Sequence, residues 1–214
     1  EAFEANLVIQ DFIDSDVILK FKGKVDAASL IGFYPVENIK DLSGSLVTDF
    51  SFEGKLSWLK NRSTAQKATT NGTIEMQHLN FLYGESKLPV KDLNGSLQFS
   101  NNDLALSNVS LKAGNSDFVF NGFFKNIITF LLFENQPIGI EADMKSNFID
   151  VDQLFEIGFA SKKGNNDYQF SISPNLTLNF NCTVQSLRYQ RFAAHKLTGA
   201  LLVKDEVAVS RNTK

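Results

Sequence analysis

From Leu176 to Val184 every second residue is apolar: Leu176, Leu178, Phe180, Cys182 and Val184 alternate with Thr177, Asn179, Asn181 and Thr183. Extended chain sends successive side chains to opposite faces, so a two-residue period gives one buried and one wetted face. The same period runs from Leu42 to Trp58, with Leu42, Leu46, Phe50, Phe52, Leu56 and Trp58 in phase, and again from Val17 to Val25 and from Ile138 to Met144. One-sided alternation marks antiparallel strands, because parallel strands are covered on both faces and read as unbroken apolar runs. Asn101-Asn102-Asp103 and the KKGNN run at 162–166 supply turn residues between such segments. The spacing predicts about a dozen strands meandering into one large sheet.

In two places the alternation changes phase. Leu104 and Leu106 are out of step with Val109 and Leu111, and Ile74 and Met76 with Leu79, Phe81 and Tyr83. A slip of one residue reverses the faces, so each slip predicts a bulge or a boundary between strands. The phrase K-D-L-x-G-S-L also occurs twice, at 40–46 and 91–97, with a looser copy, KLTGALLV, from Lys196. In each copy a glycine (Gly44, Gly95, Gly199) stands on the apolar face. It removes a side chain where a neighbour approaches or the sheet bends, and repeating that device curves a sheet. The wider copies have the length of multi-strand modules, which predicts a slice of a longer repetitive chain.

Three stretches break the strand pattern and have helical length: 27–33 (AASLIGF), 125–135 (KNIITFLLFEN) and 150–157 (DVDQLFEI). Asp150 and Asp152 are placed to cap the last of these. Residues 61–71 (NRSTAQKATTN) are the best loop and the candidate module boundary within an otherwise single β-rich unit. The expected fold is mainly β, a large curved antiparallel sheet (groove, half-barrel or sandwich-like) with two or three short helices.

Such a sheet has a covering problem. Three short helices cannot bury the apolar face of a dozen strands, so that face closes on itself or takes an apolar partner. The chain has 20 Phe against one Trp and 4 Tyr, a composition suited to a surface without hydrogen-bonding handles. Leu97, Phe99, Leu104, Leu106, Phe118, Phe120, Leu176, Leu178, Phe180 and Val184 are the candidate lining of a lipid groove or, equally, of a closed core.

The chemistry of sites is sparse. The net charge of −3 carries no basic block, which excludes a nucleic-acid footprint. His78 and His195 are the only histidines and have no Cys or acidic cluster at ligand spacing, so no metal or other cofactor is expected. Cys182 stands in an apolar row, as a small core residue does. Asp11, Asp14 and Asp16 lack the glycine and glutamate of a calcium loop and read as a solvated turn. Asp143, Asp150 and Asp152 are explained by strand-face and cap positions, and no acid, base and nucleophile assemble. No catalytic residue is assigned, and no apolar run reaches the length of a membrane span.

The order of these phrases resembles the AsmA-like family, which includes TamB-type proteins. The residues that carry it are L-x-G-x-L at 93–97, Gly114, Ser116, Phe118 and Gly122, then Ser146, Asp150, Asp152 and Leu154. GKVDAASLIGFYP at 23–35 is similar to a recurring element of that family. The resemblance implies a non-enzymatic periplasmic segment of a Gram-negative envelope protein anchored in the inner membrane. It further implies a role in phospholipid transport and outer-membrane biogenesis, with an acyl-chain lipid and envelope proteins as partners. The alternative is a structural or adhesion-type β-sandwich that binds protein and no lipid.

Overall fold

Among the described residues the alternating segments become eleven strands in one open, curved sheet whose spatial order is the order of the chain. They are β1 (Phe3–Gln10), β2 (Asp16–Asp26), β3 (Ile39–Lys55), β4 (Thr69–Tyr83), β5 (Leu88–Ser100) and β6 (Asp103–Ala113), followed by β7 (Ser116–Lys125), β8 (Ile138–Asp150), β9 (Leu176–Tyr189), β10 (Phe192–Lys204) and β11 (Val207–Arg211). The structure is a computed structural model and describes residues 3–29, 39–55, 57–58, 62–65, 67–84, 87–132, 135–154 and 173–214. The large, curved, mainly β sheet is the architecture that the alternation predicts. Along β9 the odd–even expectation holds residue by residue: Leu176, Leu178, Phe180 and Cys182 are half-buried and Val184 is buried, while the intervening polar residues are exposed.

One pairing departs from the antiparallel expectation. β8 and β9 run parallel, from Ile138 opposite Leu176 to Asp150 opposite Arg188. A parallel return needs a crossover of a dozen or more residues, and residues 151–175 supply it. The alternation could not reveal this, since each strand keeps one wet face on either side of the parallel join.

The helical expectations are trimmed. Residues 27–29 are helical, and 30–33 lie outside the described residues. Between 125 and 135, Lys125 still belongs to β7, Asn126 turns the chain with φ 62°, and helix α2 spans Ile127–Leu132. Asn102, in the β5–β6 turn, fixes its start: the Thr129 N–H donates to Asn102 Oδ1 at 2.8 Å. Residues 151–154 are helical, and 155–157 are not described. Within 61–71 the long loop is replaced by a helical turn, α1 (Arg62–Ala65), and by β4, which begins at Thr69. The strands flanking it, β3 and β4, pair from Glu53–Thr69 to Ile39–Tyr83.

Both phase slips are bulges. The β6–β7 register shifts between Leu106 and Val109, and the β4–β5 register shifts after Met76. Each contains a residue in the left-handed region, Asn108 (φ 50°) and His78 (φ 50°). A bulge leaves one backbone N–H without its ladder partner. Asparagine side chains on neighbouring strands accept these orphans: Asn94 Oδ1 from His78 N (2.9 Å), Asn80 Oδ1 from Asp92 N (3.0 Å) and Asn121 Oδ1 from Asn108 N (2.8 Å).

The repeated phrase now has a physical reading. Asp41, Asp92 and Lys196, each three residues before its glycine, all adopt left-handed φ (55°, 53° and 56°). Gly44 and Gly95 then lie against a bulge of the following strand. A Cβ on Gly44 would stand 2.5 Å from the His78 carbonyl oxygen, and one on Gly95 would stand 2.6 Å from Val109 Cα. Gly199 faces Thr213, beside left-handed Asn212, more loosely at 3.3 Å. In the first two copies the phrase pairs a bulge on its own strand with room for a bulge on the next.

Candidate functional site

Residues directly opposed on neighbouring strands share a face, so the registers trace rows across the sheet. One row runs Ala5, Phe21, Phe50, Gly72, Phe99, Leu104, Phe124, Ile140, Leu178 and Val203. A second runs Phe3, Gly23, Thr48, Ile74, Leu97, Leu106, Gly122, Ala142, Phe180 and Leu201 through the same pairings. Val109, Phe120, Met144, Cys182 and Gly199 form a third. The result is an apolar face continuous from β1 to β10.

All the candidate lining residues lie on this face. They divide into two groups. Phe118, Phe120 and Phe180 pack on a small core of Met144, Ile149 and Val184, joined by Val151 and Leu154 from the turn after β8. Leu97, Phe99, Leu104, Leu106, Leu176 and Leu178 lie outside that cluster and are likewise only partly buried. Phe21, Phe50, Ile74, Phe124 and Ile140 complete the same rows and were not singled out beforehand. The signal that finds them is register, which alternation within single strands does not supply.

The face is poorly covered. None of the described phenylalanines is buried, and Leu201 on β10 is 37% exposed. Glycines open it further: Gly72 lets Phe50 and Phe99 meet across β4, edge to face, with centroids 5.9 Å apart. A Cβ on Gly72 would meet the backbone of Asp49 and Phe50, with Phe50 Cα 2.6 Å away, and aromatic contacts of this kind add about 0.5–1.5 kcal/mol beyond area burial.

Ser146 is the exception among the buried residues of the face. It is 5% exposed, opposite Val184, and its Oγ has no hydrogen-bond partner. A buried hydroxyl without a partner costs about 1–3 kcal/mol. Ser146→Ala is therefore expected to raise stability by about 1 kcal/mol in urea titration, and a loss of stability would show that the hydroxyl is satisfied.

Polar clusters elsewhere hold the frame. Asp150, at the end of β8, is 2% exposed. Its Oδ2 accepts from Arg188 at 2.6 Å and from Asn115 at 3.3 Å, its Oδ1 faces the Gln153 N–H at 3.5 Å, and its own N–H donates to Ser116 Oγ at 2.9 Å. Burial alone would raise this carboxyl, but the hydrogen bonds from Asn115, Arg188 and Gln153 hold it below the ordinary 3.8. Gly114 leaves space for the Gln153 amide, which accepts from Asn115 N at 2.7 Å. Asp150 is the cap expected of it. Asp152 is not: its carboxylate accepts from Gln190 N at 2.7 Å and so ties the crossover to the β9–β10 turn. Asp143 sits on the polar face with Asn181 (2.9 Å).

The acidic N-terminal turn is closed by its own groups, with Asp11 accepting from Ile13 N at 3.0 Å and Asp14 paired with Lys55 at 2.9 Å. His78 lies 2.7 Å from Asp92 on the exposed side of the bulges, where the histidine hydrogen bond lowers the Asp92 carboxyl. His195 is on β10. Among the described residues no three potential metal ligands cluster, and no helix is long and apolar enough to cross a membrane. Compared with known protein families, with curated proteins and with solved structures, the chain finds no match.

Proposed function

We propose that this chain is a non-enzymatic, lipid-holding segment of an AsmA-like envelope protein, working in the periplasm in phospholipid transport and outer-membrane biogenesis. The observation that supports this reading is the apolar face continuous from β1 to β10, on which no described phenylalanine is fully buried. Removing a methylene from water stabilises by about 0.8 kcal/mol, so a short stretch of acyl chain on this face binds measurably. The open stretch centred on Phe50, Phe99 and Leu97 is the place for it. Phe120 serves the cluster around Met144 and is core.

The test is native mass spectrometry after exposure to phosphatidylethanolamine–phosphatidylglycerol vesicles. The chain should carry phospholipid, with little dependence on salt because the contact is apolar. Phe99→Asp should reduce occupancy about tenfold or more, the equivalent of one lost aromatic contact. Gln98→Asp, on the opposite face, should leave occupancy unchanged. Absence of lipid from the parent chain, or equal behaviour of the two variants, favours a structural or adhesion-type module that binds protein and no lipid instead.

A further inference from the structure

The open part of the apolar face is long in one direction and short in the other. Between β2 and β9 no residue is buried in the row of Phe50 and Phe99 or in the row of Leu97 and Leu106. Buried residues stand in the rows on either side. Thr70 on β4 and Ile138 on β8 flank the first row, and Val109 on β6 and Met144 on β8 flank the second. Along the strands the open strip is therefore two side-chain rows wide, about 14 Å for four residues of rise. Across the strands it continues from β2 to β9 through seven interstrand steps, about 34 Å. Both ends of that run lie inside the sheet, with β1 beyond one and β10 beyond the other.

We propose that the strip selects long, unbranched acyl chains, which lie across the strands along a row and not parallel to them. This rests on the lipid-holding reading and deepens it. Length decides the direction. An extended hydrocarbon chain advances by about 1.3 Å for each methylene, from the C–C bond length and its tetrahedral angle. Laid parallel to the strands, it reaches the buried flanks after about eleven carbons. A palmitoyl or stearoyl chain laid along a row stays on open surface throughout.

The chemistry of the strip suits the same occupant. Between β2 and β9, Thr48 is the only residue of the two rows with a hydrogen-bonding side chain. An extended peptide laid there would bury its own amides without partners, a cost that a methylene chain does not incur. Gly122 and Ala142, opposed in the second row, lower its floor between Leu106 and Phe180. A chain lying along the row passes there without bending round a side chain.

The experiment is a chain-length series. Lysophosphatidylcholines with decanoyl, lauroyl, myristoyl, palmitoyl and stearoyl chains are titrated onto the unmutated protein, each below its micelle concentration, with occupancy read by native mass spectrometry. Affinity should rise about two- to fourfold for each added methylene through the whole series. A rise that stops at lauroyl places the chain parallel to the strands and overturns the proposal, while lipid holding stands. No binding by any member overturns both. Phe124→Asp on β7 gives a second readout, since Phe124 shares the row of Phe50 four strands away. It should weaken stearoyl binding about tenfold or more and decanoyl binding less than about threefold, because the short chain still fits beside Phe50 and Phe99. Equal losses for the two probes overturn the proposal. The series decides by itself if that variant does not fold.

Discussion

Gly95→Val is expected to destabilise the protein by about 2–6 kcal/mol, the sum of a strained backbone and an overpacked contact. Gly95 sits at φ 138°, a conformation that β-branched residues avoid, and its missing Cβ leaves room for Val109 Cα on β6. Neither neighbour can yield cheaply. Val109 is buried, and it follows Asn108, whose N–H is already held by Asn121. Against a typical total of about 5–15 kcal/mol, the loss is large enough to depress the melting temperature by roughly 5–20 °C or to unfold the chain. Gly139→Val is the control. Gly139 lies outside the left-handed region and meets only the Lys125 side chain, at 3.3 Å. Thermal melts followed by circular dichroism should separate the two, and similar melting points would show that the Gly95 position tolerates a side chain.

That glycine also marks how far the sequence can be read. Alternation is a local property of extended chain, so strand existence, the wet and dry faces, and the slips at Asn108 and His78 were all legible. Each slip moves apolar residues one position along, and that is visible in the letters. The partner of a glycine is not. Gly95 stands opposite Val109, fourteen positions away in sequence, and only the register between β5 and β6 brings them together. The parallel β8–β9 join is hidden for the same reason, because the direction of a neighbour leaves no trace in alternation. The sequence places one helix start too early, ahead of a backbone event. Lys125 reads as the start of a helix, yet it still pairs with Gly139 in β7, and Asn126 turns the chain only after it.

The candidate site was legible to the same degree. The apolar residues chosen from single strands do share one face, but their environments differ in a way that strand patterns cannot express. Phe99 and Phe120 have the same residue type and the same phase. Phe120 packs on the cluster of Met144, Ile149 and Val184, whereas Phe99 meets Phe50 across a glycine. Val151 and Leu154, just after β8, join the cluster that Phe120 packs on, and the start of that segment is anchored by the buried Asp150 carboxylate.

Removing that carboxylate should be the second large effect. Asp150→Ala is expected to cost about 2–4 kcal/mol, because hydrogen bonds to an ionised group contribute about 1.5–3 kcal/mol net and Asp150 receives several. Arg188→Ala should cost less than Asp150→Ala. The Arg188 side chain is 54% exposed and is hydrated once freed, while Asp150 keeps Asn115 and the Gln153 N–H. The pH dependence gives an independent readout. The folded Asp150 carboxyl lies below 3.8, so the native state holds fewer protons there than the unfolded chain. Its contribution is complete above that value and disappears as the pH falls through the depressed folded value. Urea titrations at neutral pH and at successively lower pH should therefore show the parent losing more stability on acidification than Asp150→Asn, which has no such proton to take up. Hydrogen exchange should place the loss at the β8–β9 pairs and at residues 151–154, the elements that Asp150 joins. Equal acid sensitivity in the two proteins would mean that another carboxylate governs acid stability and that the crossover is held by the apolar contacts of Ile149, Val151 and Leu154 alone.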